Sequence, residues 1–206
     1  MKTRAGLLAV LALMSAGCAG TLLDSRLEPP ETYQLQGTVV PDRGGRLPLA
    51  LGVGRVRAPS SLETERIAVL QPDSRFDYFA DVRWSEPAPQ MLQQQLVRAL
   101  AADGRFEAVV AAPSRVPTDL VIDVELRRFE AVYAAGSAAP EIHVEMQVAV
   151  LDARKVERVA SFTAAAASAA QADRRVAVIA AFERATADAV GMAVEKLREA
   201  VPAGQR

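Results

Sequence analysis

Cysteine and histidine have the widest chemical repertoire among the side chains of this sequence, and each occurs only once. The cysteine is Cys18 and the histidine is His143. A lone cysteine cannot close a disulfide within its own chain, so Cys18 is either incidental or a site of modification. His143 lies beside Glu145 on the outward face of a strand-like segment, which favours a surface residue over a ligand or general base. Without a second histidine, we do not expect a zinc site.

The residues before Cys18 follow the three-part plan of a bacterial secretory signal. Lys2 and Arg4 give a positive start, residues 5–14 form an uninterrupted apolar run, and the small residues 15–17 precede the cysteine. This run is too short to cross a membrane, because a transmembrane helix needs about 20 residues. We therefore expect a cleaved signal rather than a retained membrane helix.

The segment is similar to a bacterial lipoprotein signal, with residues 1–17 as the removed peptide and Cys18 as the lipidated residue. Ser15 stands where such signals usually carry leucine. Two or more acyl chains hold a protein firmly, because each buried methylene contributes about 0.8 kcal/mol. Ala19 then favours the outer membrane under the sorting rule for such lipoproteins. The alternative is an ordinary cleaved signal with an incidental cysteine. Apart from a covalent lipid on Cys18, we expect no cofactor.

Composition limits the remaining choices. Without residues 1–17 the chain has 22 basic and 25 acidic side chains, so no basic excess indicates nucleic acid as a partner. The length suits one domain. We interpret residues 18–32, which contain two prolines, as a tether between the lipid and a folded domain at 33–200. Residues 201–206 would be a C-terminal tail.

Hydrophobic periodicity predicts an α+β fold with the element order β-β-β-β-α-β-β-β-β-α. We expect a mostly antiparallel sheet with two main helices packed on one face. The first helix would be capped by Ser85 or Glu86 and stopped by Gly104 in a left-handed conformation. The predicted strands cover residues 33–35, 47–58, 66–70, 75–80, 106–111, 119–132, 141–151 and 156–164, and the second helix covers 174–200.

The sequence lacks the patterns typical of the common enzyme sites. A Gly-x-Ser-x-Gly nucleophile elbow is absent. The pair Gly52 and Gly54 lacks the third glycine and the following helix of a dinucleotide site, and is interpreted as strand glycines. The strand carboxylates Asp123, Glu125 and Glu145 are interpreted as a solvated sheet face. We therefore predict a protein that is not an enzyme.

The order of segments resembles the ABC-type transport auxiliary lipoproteins, the PqiC/YmbA-like group. A lipobox and a proline-containing tether precede Tyr-Gln-Leu at 33–35, and Leu-Gly-Val-Gly-Arg-Val follows at 51–56. Arg-Trp-Ser-Glu-Pro at 83–87 then stands just before a helix with a leucine repeat. The family typically starts with Tyr-Tyr-Leu, and here Gln34 occupies the middle position. The resemblance covers roughly residues 18–200.

This resemblance implies an auxiliary component of an MCE-type lipid transport system between the inner and outer membranes. The expected partners are the outer membrane, through the lipid anchor on its periplasmic face, an MCE-domain protein, and further copies of the same chain. Tyr33, Leu35, Arg83 and Trp84 are the family-motif residues, with a structural or interface role. For Trp84, core packing and a contact with a partner both remain open. The alternative function is a periplasmic lipid carrier that acts independently of an MCE complex.

Overall fold

The structure, a computed structural model, describes residues 29–37 and 45–202. Within these residues the predicted α+β class and the order of strands and helices are confirmed. The strands are β1 (Glu31–Tyr33), β2 (Leu47–Val53), β3 (Arg66–Leu70), β4 (Phe76–Trp84), β5 (Phe106–Ala111), β6 (Leu120–Val132), β7 (Glu141–Asp152) and β8 (Glu157–Ala169), and the helices are α1 (Ala88–Ala102) and α2 (Arg175–Ala200).

The strands of the described region form one sheet that forks at β6. Along one side, β6 pairs over its whole length with β7, and β7 pairs with β8. Along the other side, the first part of β6 pairs with β2 and the last part pairs with β3. Strand β5 extends the β2 arm, whereas β4 and then β1 extend the β3 arm. The long strand β6 therefore supports two separate short arms.

The prediction of a mostly antiparallel sheet is wrong, because the sheet is mixed. Four strand pairings are parallel, namely β1–β4, β2–β5, β2–β6 and β3–β6. Three pairings in the described sheet, β3–β4, β6–β7 and β7–β8, are antiparallel. The three antiparallel pairs join neighbours in the sequence, whereas every parallel pair joins distant segments. Alternation of apolar residues reports which face of a strand is buried, but it does not report the partner or its direction.

Several strand ends differ from the sequence prediction. Strand β2 ends at Val53 rather than at 58, β4 continues to Trp84 rather than ending at 80, and β8 continues to Ala169 rather than ending at 164.

The first strand and the start of the first helix differ as well. The first strand is Glu31–Tyr33 rather than residues 33–35, because Tyr33 pairs with Trp84 and the chain then leaves the sheet. Helix α1 starts after Pro87 without a side-chain cap, so neither Ser85 nor Glu86 caps it. A proline in a first turn costs no hydrogen bond, since those amides have no helical partner. Gly104 does adopt the left-handed conformation, with φ of 70°.

Both helices and the sheet share one hydrophobic core. Helix α1 packs on β2 and β5, helix α2 packs on β7 and β8, and the helices contact each other. Strand β7 alternates as predicted, because every second residue from Ile142 to Val150 is buried and the residues between them are partly exposed. Close approach of β2 to β6 requires Gly54, where a β-carbon would lie 2.9 Å from the Ile122 carbonyl oxygen. In the described part of the chain, no helix is long and apolar enough to cross a membrane.

Candidate functional site: the N-terminal clasp

The first predicted functional residue, Cys18, lies outside the residues that the structure describes. The other four, Tyr33, Leu35, Arg83 and Trp84, are brought together where β1 pairs with β4. We call β1 together with Glu65, Arg83, Trp84 and Arg175 the N-terminal clasp. It holds the first described strand to the rest of the folded domain.

Main-chain pairing forms the base of the clasp. In the parallel β1–β4 ladder, Tyr33 is the partner of Trp84. The Ser85 amide donates to the Tyr33 carbonyl at 2.7 Å, and the Trp84 amide donates to the Glu65 carbonyl at 2.7 Å. Because β1 has only three residues, side chains must contribute much of what holds it.

Trp84 anchors the clasp in the core. Its side chain is 1% exposed and packs against Phe182 and Phe129, with ring centroids 5.1 and 5.8 Å away. The edge-to-face geometry with Phe182 suits aromatic quadrupoles. Among the residues that the structure describes, the indole Nε1–H has no hydrogen-bond partner, so it is a buried donor left unsatisfied. This placement agrees with a packing role for Trp84 and keeps its ring away from the protein surface.

Arg83 lies on the opposite, exposed face of β4. Its Nε donates to the Thr32 hydroxyl at 3.3 Å, and its guanidinium is 3.5 Å from a Glu65 carboxylate oxygen. The Arg83 and Glu65 side chains are about half exposed, so this ion pair contributes little to stability, at most about 1 kcal/mol. The hydrogen bond to Thr32 is the contact by which the Arg83 side chain holds β1.

A second surface network closes over the start of β1. The Tyr33 hydroxyl donates to Glu31 at 2.7 Å, and Arg175 at the start of α2 bonds the other Glu31 oxygen at 2.9 Å. The Tyr33 hydrogen bond, together with the Arg175 charge, lowers the pKa of Glu31 below its usual 4.5. The same hydrogen bond raises the pKa of Tyr33. The ion pair also joins β1 to α2, elements that are far apart in sequence.

Leu35 continues from the clasp into the core. Its side chain is 4% exposed, and its carbonyl accepts a hydrogen bond from Gln95 of α1 at 3.2 Å. The chain is thus held on β4, on α2 and on α1 within five residues of its first described strand position. Residues 31–35 are therefore joined to both helices as well as to the sheet.

His143 belongs to a separate polar cluster on the outer sheet face. Its Nε2 lies 2.9 Å from Glu141, and its Nδ1 lies 3.1 Å from an Arg128 nitrogen. Arg128 also bonds the mostly buried Glu130 at 2.7 Å, and Glu130 accepts from the Phe129 amide. Because Arg128 can only donate, His143 Nδ1 accepts and Nε2–H donates. Among the residues described, His, Cys, Asp and Glu form no group suited to a metal ion.

Sequence reasoning missed Glu65, Gln95 and Arg175. The sequence placed Glu65 in a loop and Arg175 at a helix start, and Gln95 was one of three consecutive glutamines. No local pattern distinguishes these residues, because their partners Trp84, Leu35 and Glu31 are distant along the chain. Glu31 itself was assigned to the tether because it directly follows two prolines.

The fold and the clasp define a class of protein: an α+β domain whose first strand is anchored beside a buried strand-end tryptophan. The chain belongs to the family described as ABC-type transport auxiliary lipoprotein component, which matches residues 33–191. The match starts at Tyr33 of the clasp. Members of this family are lipoproteins that assist ABC-type transport, so an auxiliary role in transport follows for this chain at that level.

Solved structures share the fold. Protein XCC0632 from Xanthomonas campestris superposes with a TM-score of 0.76 at 26% identity, over 82% of this chain and 95% of that one. An uncharacterized protein superposes with a TM-score of 0.62 at 18% identity, over 82% of this chain and 99% of that one. The hypothetical protein CT253 from Chlamydia trachomatis superposes with a TM-score of 0.50 at 10% identity, over 72% of this chain and 96% of that one. No curated protein matches the sequence.

Proposed function

We propose that this protein is a lipoprotein anchored to the outer membrane through Cys18, which serves as a non-enzymatic auxiliary component of an MCE-type ABC lipid transport system. The family match over residues 33–191 carries this proposal. The signal-like residues 1–17 and Ala19 support the anchor and its membrane. The domain at 33–200 then faces the periplasm, tethered by residues 18–32.

The clasp supports a tethered role. Between Cys18 and Glu31 the chain spans at most about 45 Å when fully extended. A domain on such a tether stays close to its membrane, and the clasp distributes any pull over β4, α1 and α2. Tyr33, Leu35, Arg83 and Trp84 are accordingly proposed as residues that secure the tether to the domain. Several copies together, engaging one MCE-domain protein, would form the docking unit.

The contacts of His143 argue against a role for this residue as a general base. Both ring nitrogens are engaged, one by Arg128 and one by Glu141. A general base needs one free nitrogen directed at a substrate. We expect His143→Ala to leave transport-dependent membrane integrity unchanged.

Lipid carriage by the domain alone has weaker support. The apolar cavity lined by Ile67, Phe79, Val82, Arg175, Val178 and Ile179 has a volume of about 10 Å³. That is room for one water, whereas pockets for small ligands are about 300–1,000 Å³. A surface cavity of about 520 Å³ reaches this size, but polar and charged side chains such as Arg55, Glu63 and Gln90 line much of it. An independent lipid carrier would be distinguished from the auxiliary role by lipid bound to the purified chain.

The experiment compares the native chain with Cys18→Ala and with Ser15→Leu, expressed with the candidate MCE-domain protein. We expect the native chain and Ser15→Leu in outer-membrane fractions and Cys18→Ala in the soluble periplasm, because only a thiol can be lipidated. The MCE-domain protein should co-purify with the native chain, and light scattering should give the mass of a defined oligomer. Cys18→Ala that still sediments with membranes would contradict the anchor. A monomer without MCE-domain protein but with bound lipid in native mass spectrometry would favour the independent carrier.

A further inference from the structure

One lateral edge of the sheet is open at β5. This strand pairs with β2 on one side, and no other described strand pairs with it. Edge strands present unpaired N–H and C=O groups that can template pairing with another chain. In the parallel ladder the Ala112 amide donates inward to the Val53 carbonyl at 2.8 Å. Since alternate residues point to opposite sides, the main-chain groups of Val109 and Ala111 are directed at the open edge.

One end of this open stretch is capped by a side chain, because Arg46 donates to the Glu107 carbonyl at 3.1 Å. Beyond this cap, Val109 and Ala111 offer two donors and two acceptors, which is one repeat of a strand ladder. Pro113 then follows Ala112 and has no N–H to donate, so the open stretch is short.

The competing long edge, at β8, is closed more strongly. Lys196 of α2 donates to the Thr163 carbonyl at 2.8 Å, and Arg184 donates to the Ala169 carbonyl at 3.0 Å. Pairing along β8 would displace two charged hydrogen bonds, whereas pairing along β5 displaces at most the one from Arg46. Charge-assisted hydrogen bonds are about twice as strong as neutral ones.

A groove runs beside the open edge of β5, between that strand and α1. We define the β5 groove by Val97 and Arg98 of α1, Val109 and Ala111 of β5, and Arg46. Val97 and Val109 are half-buried and pack on the core, so part of each apolar side chain remains accessible. Surface cavities of about 270 and 380 Å³ adjoin them, the first lined by Val97, Arg98 and Ala111 and the second by Arg46 and Val109.

The charge of the groove indicates the kind of occupant. Within residues 29–37 and 45–202, the Arg46 side chain bonds the Glu107 carbonyl and the Arg98 side chain bonds the Gln94 carbonyl at 3.3 Å, with no carboxylate partner for either. Neither arginine takes part in the salt bridges among the described residues. Glu107 is the acidic side chain at this rim, and the nearby Asp103 is buried against Arg198. The two arginines therefore remain available to carboxylates of a partner.

We propose that the β5 groove binds an extended segment of a partner protein by strand addition, with apolar residues at alternate positions and carboxylates beside them. Main-chain bonds to Val109 and Ala111 supply the ladder, Val97 and Val109 receive the apolar side chains, and Arg46 and Arg98 bind the carboxylates. This groove would be the surface through which the auxiliary lipoprotein binds its partner protein, and that assignment rests on the proposed function. Peptide binding does not involve transport, so either can fail without the other.

The test measures binding of three labelled peptides to the full lipidated chain in detergent, by fluorescence anisotropy. The acidic probe is Glu-Val-Thr-Val-Glu-Val-Thr, the basic probe has lysine for glutamate, and the third has proline for the central valine of the acidic probe. We expect the dissociation constant of the acidic probe to be at least about tenfold lower than that of either other probe. The basic probe loses the attraction of its carboxylates to the two arginines, and the proline probe loses a main-chain hydrogen bond. Hydrogen exchange should slow at the Val109 and Ala111 amides when it binds.

Variants of the protein separate the two components of recognition. Ala111→Pro removes the outward N–H from an edge position where proline is tolerated, and it should weaken binding about tenfold, while Ala111→Ser should not. Arg98→Glu should weaken the acidic probe and spare the basic one, with Arg158→Glu on β8 as the matched control. Circular dichroism checks that each variant folds. Any of four results would overturn the proposal. The acidic and basic probes could bind equally, or Ala111→Pro could keep full affinity. The acidic probe could slow hydrogen exchange at β8 instead of β5, or it could fail to bind at concentrations up to millimolar.

Discussion

At the residue scale, Trp84 combines the largest buried ring of the clasp with an unsatisfied donor. Its contacts with Phe129 and Phe182 stabilise the junction of β4, β6 and α2. The buried Nε1–H without a partner works against this, because a desolvated donor costs about 1–3 kcal/mol when no acceptor replaces water. The ring is therefore retained for its area and shape rather than for its hydrogen bond.

Substitution of Trp84 tests this balance. We expect Trp84→Ala to lower the free energy of unfolding by about 3–5 kcal/mol, as for other buried large-to-small changes. Trp84→Phe should cost clearly less, because it keeps aromatic contacts with Phe129 and Phe182 and removes the unsatisfied N–H. Urea unfolding followed by circular dichroism measures both, since Trp84 is the only tryptophan and its fluorescence is lost. Equal losses in the two variants would assign a hydrogen-bonding role to the indole.

At the element scale, β1 is a short strand held by surface groups that titrate. Glu31 accepts from Tyr33 and Arg175, and these contacts lower the pKa of its carboxyl. A lowered folded-state pKa gives stability that is fully present above the unfolded value, and this stability is lost as pH falls through the folded value. Attachment of β1 should therefore weaken as the pH falls below about 4.5.

Hydrogen exchange at the Ser85 amide, which donates to Tyr33, reports this attachment. We expect its protection to fall in the native chain as pH is lowered past 4.5, relative to core amides of β7. Glu31→Gln should show weaker protection at neutral pH and little pH dependence, because a neutral amide cannot pair with the Arg175 charge. Glu157→Gln, at an exposed position of β8, is the matched control and should behave as the native chain does. If protection in Glu31→Gln depended on pH as it does in the native chain, Glu31 would not contribute to holding β1.

At the scale of the whole molecule, a buried charge network joins the ends of both helices. Asp103 follows α1, is 1% exposed, and bonds Arg198 of α2 at 2.7 Å. Arg105 lies beside it and donates to the carbonyls of Gly45 and Val201 at 2.7 and 2.6 Å. One cluster thus fixes the ends of α1 and α2 and the residues before β2. Gly45 and Val201, which it joins, are about 150 residues apart in the sequence.

Removing the cation from this network should destabilise the fold as a whole. We expect Arg198→Met to lower the free energy of unfolding by about 3–5 kcal/mol, because the Asp103 charge stays buried without its ion pair. Arg154→Met breaks a pair with Asp119 of similar length, and since Arg154 is 81% exposed it should cost less than about 1 kcal/mol. Thermal unfolding of both variants measures the difference. Similar losses in the two would mean that the buried network contributes no more than a surface pair.

Features that depend on local order could be predicted from the sequence. The alternation in β7, the leucine stripe of α1 and the stop at Gly104 all follow from periodicity and backbone preference, and the structure has them where the sequence predicted them. The motif order that includes Tyr33 and Trp84 was enough to indicate the family, which the match over residues 33–191 confirms.

Which segments pair with one another could not be predicted from the sequence. The parallel arms on β6, the β1–β4 pairing and the contacts of Glu65, Gln95 and Arg175 join residues that are distant along the chain. The open edge at β5 likewise follows from strand order rather than from its own residues. The physical reason is that a strand's side-chain pattern records burial, whereas its partners are selected by the packing of the whole core, which no local window contains.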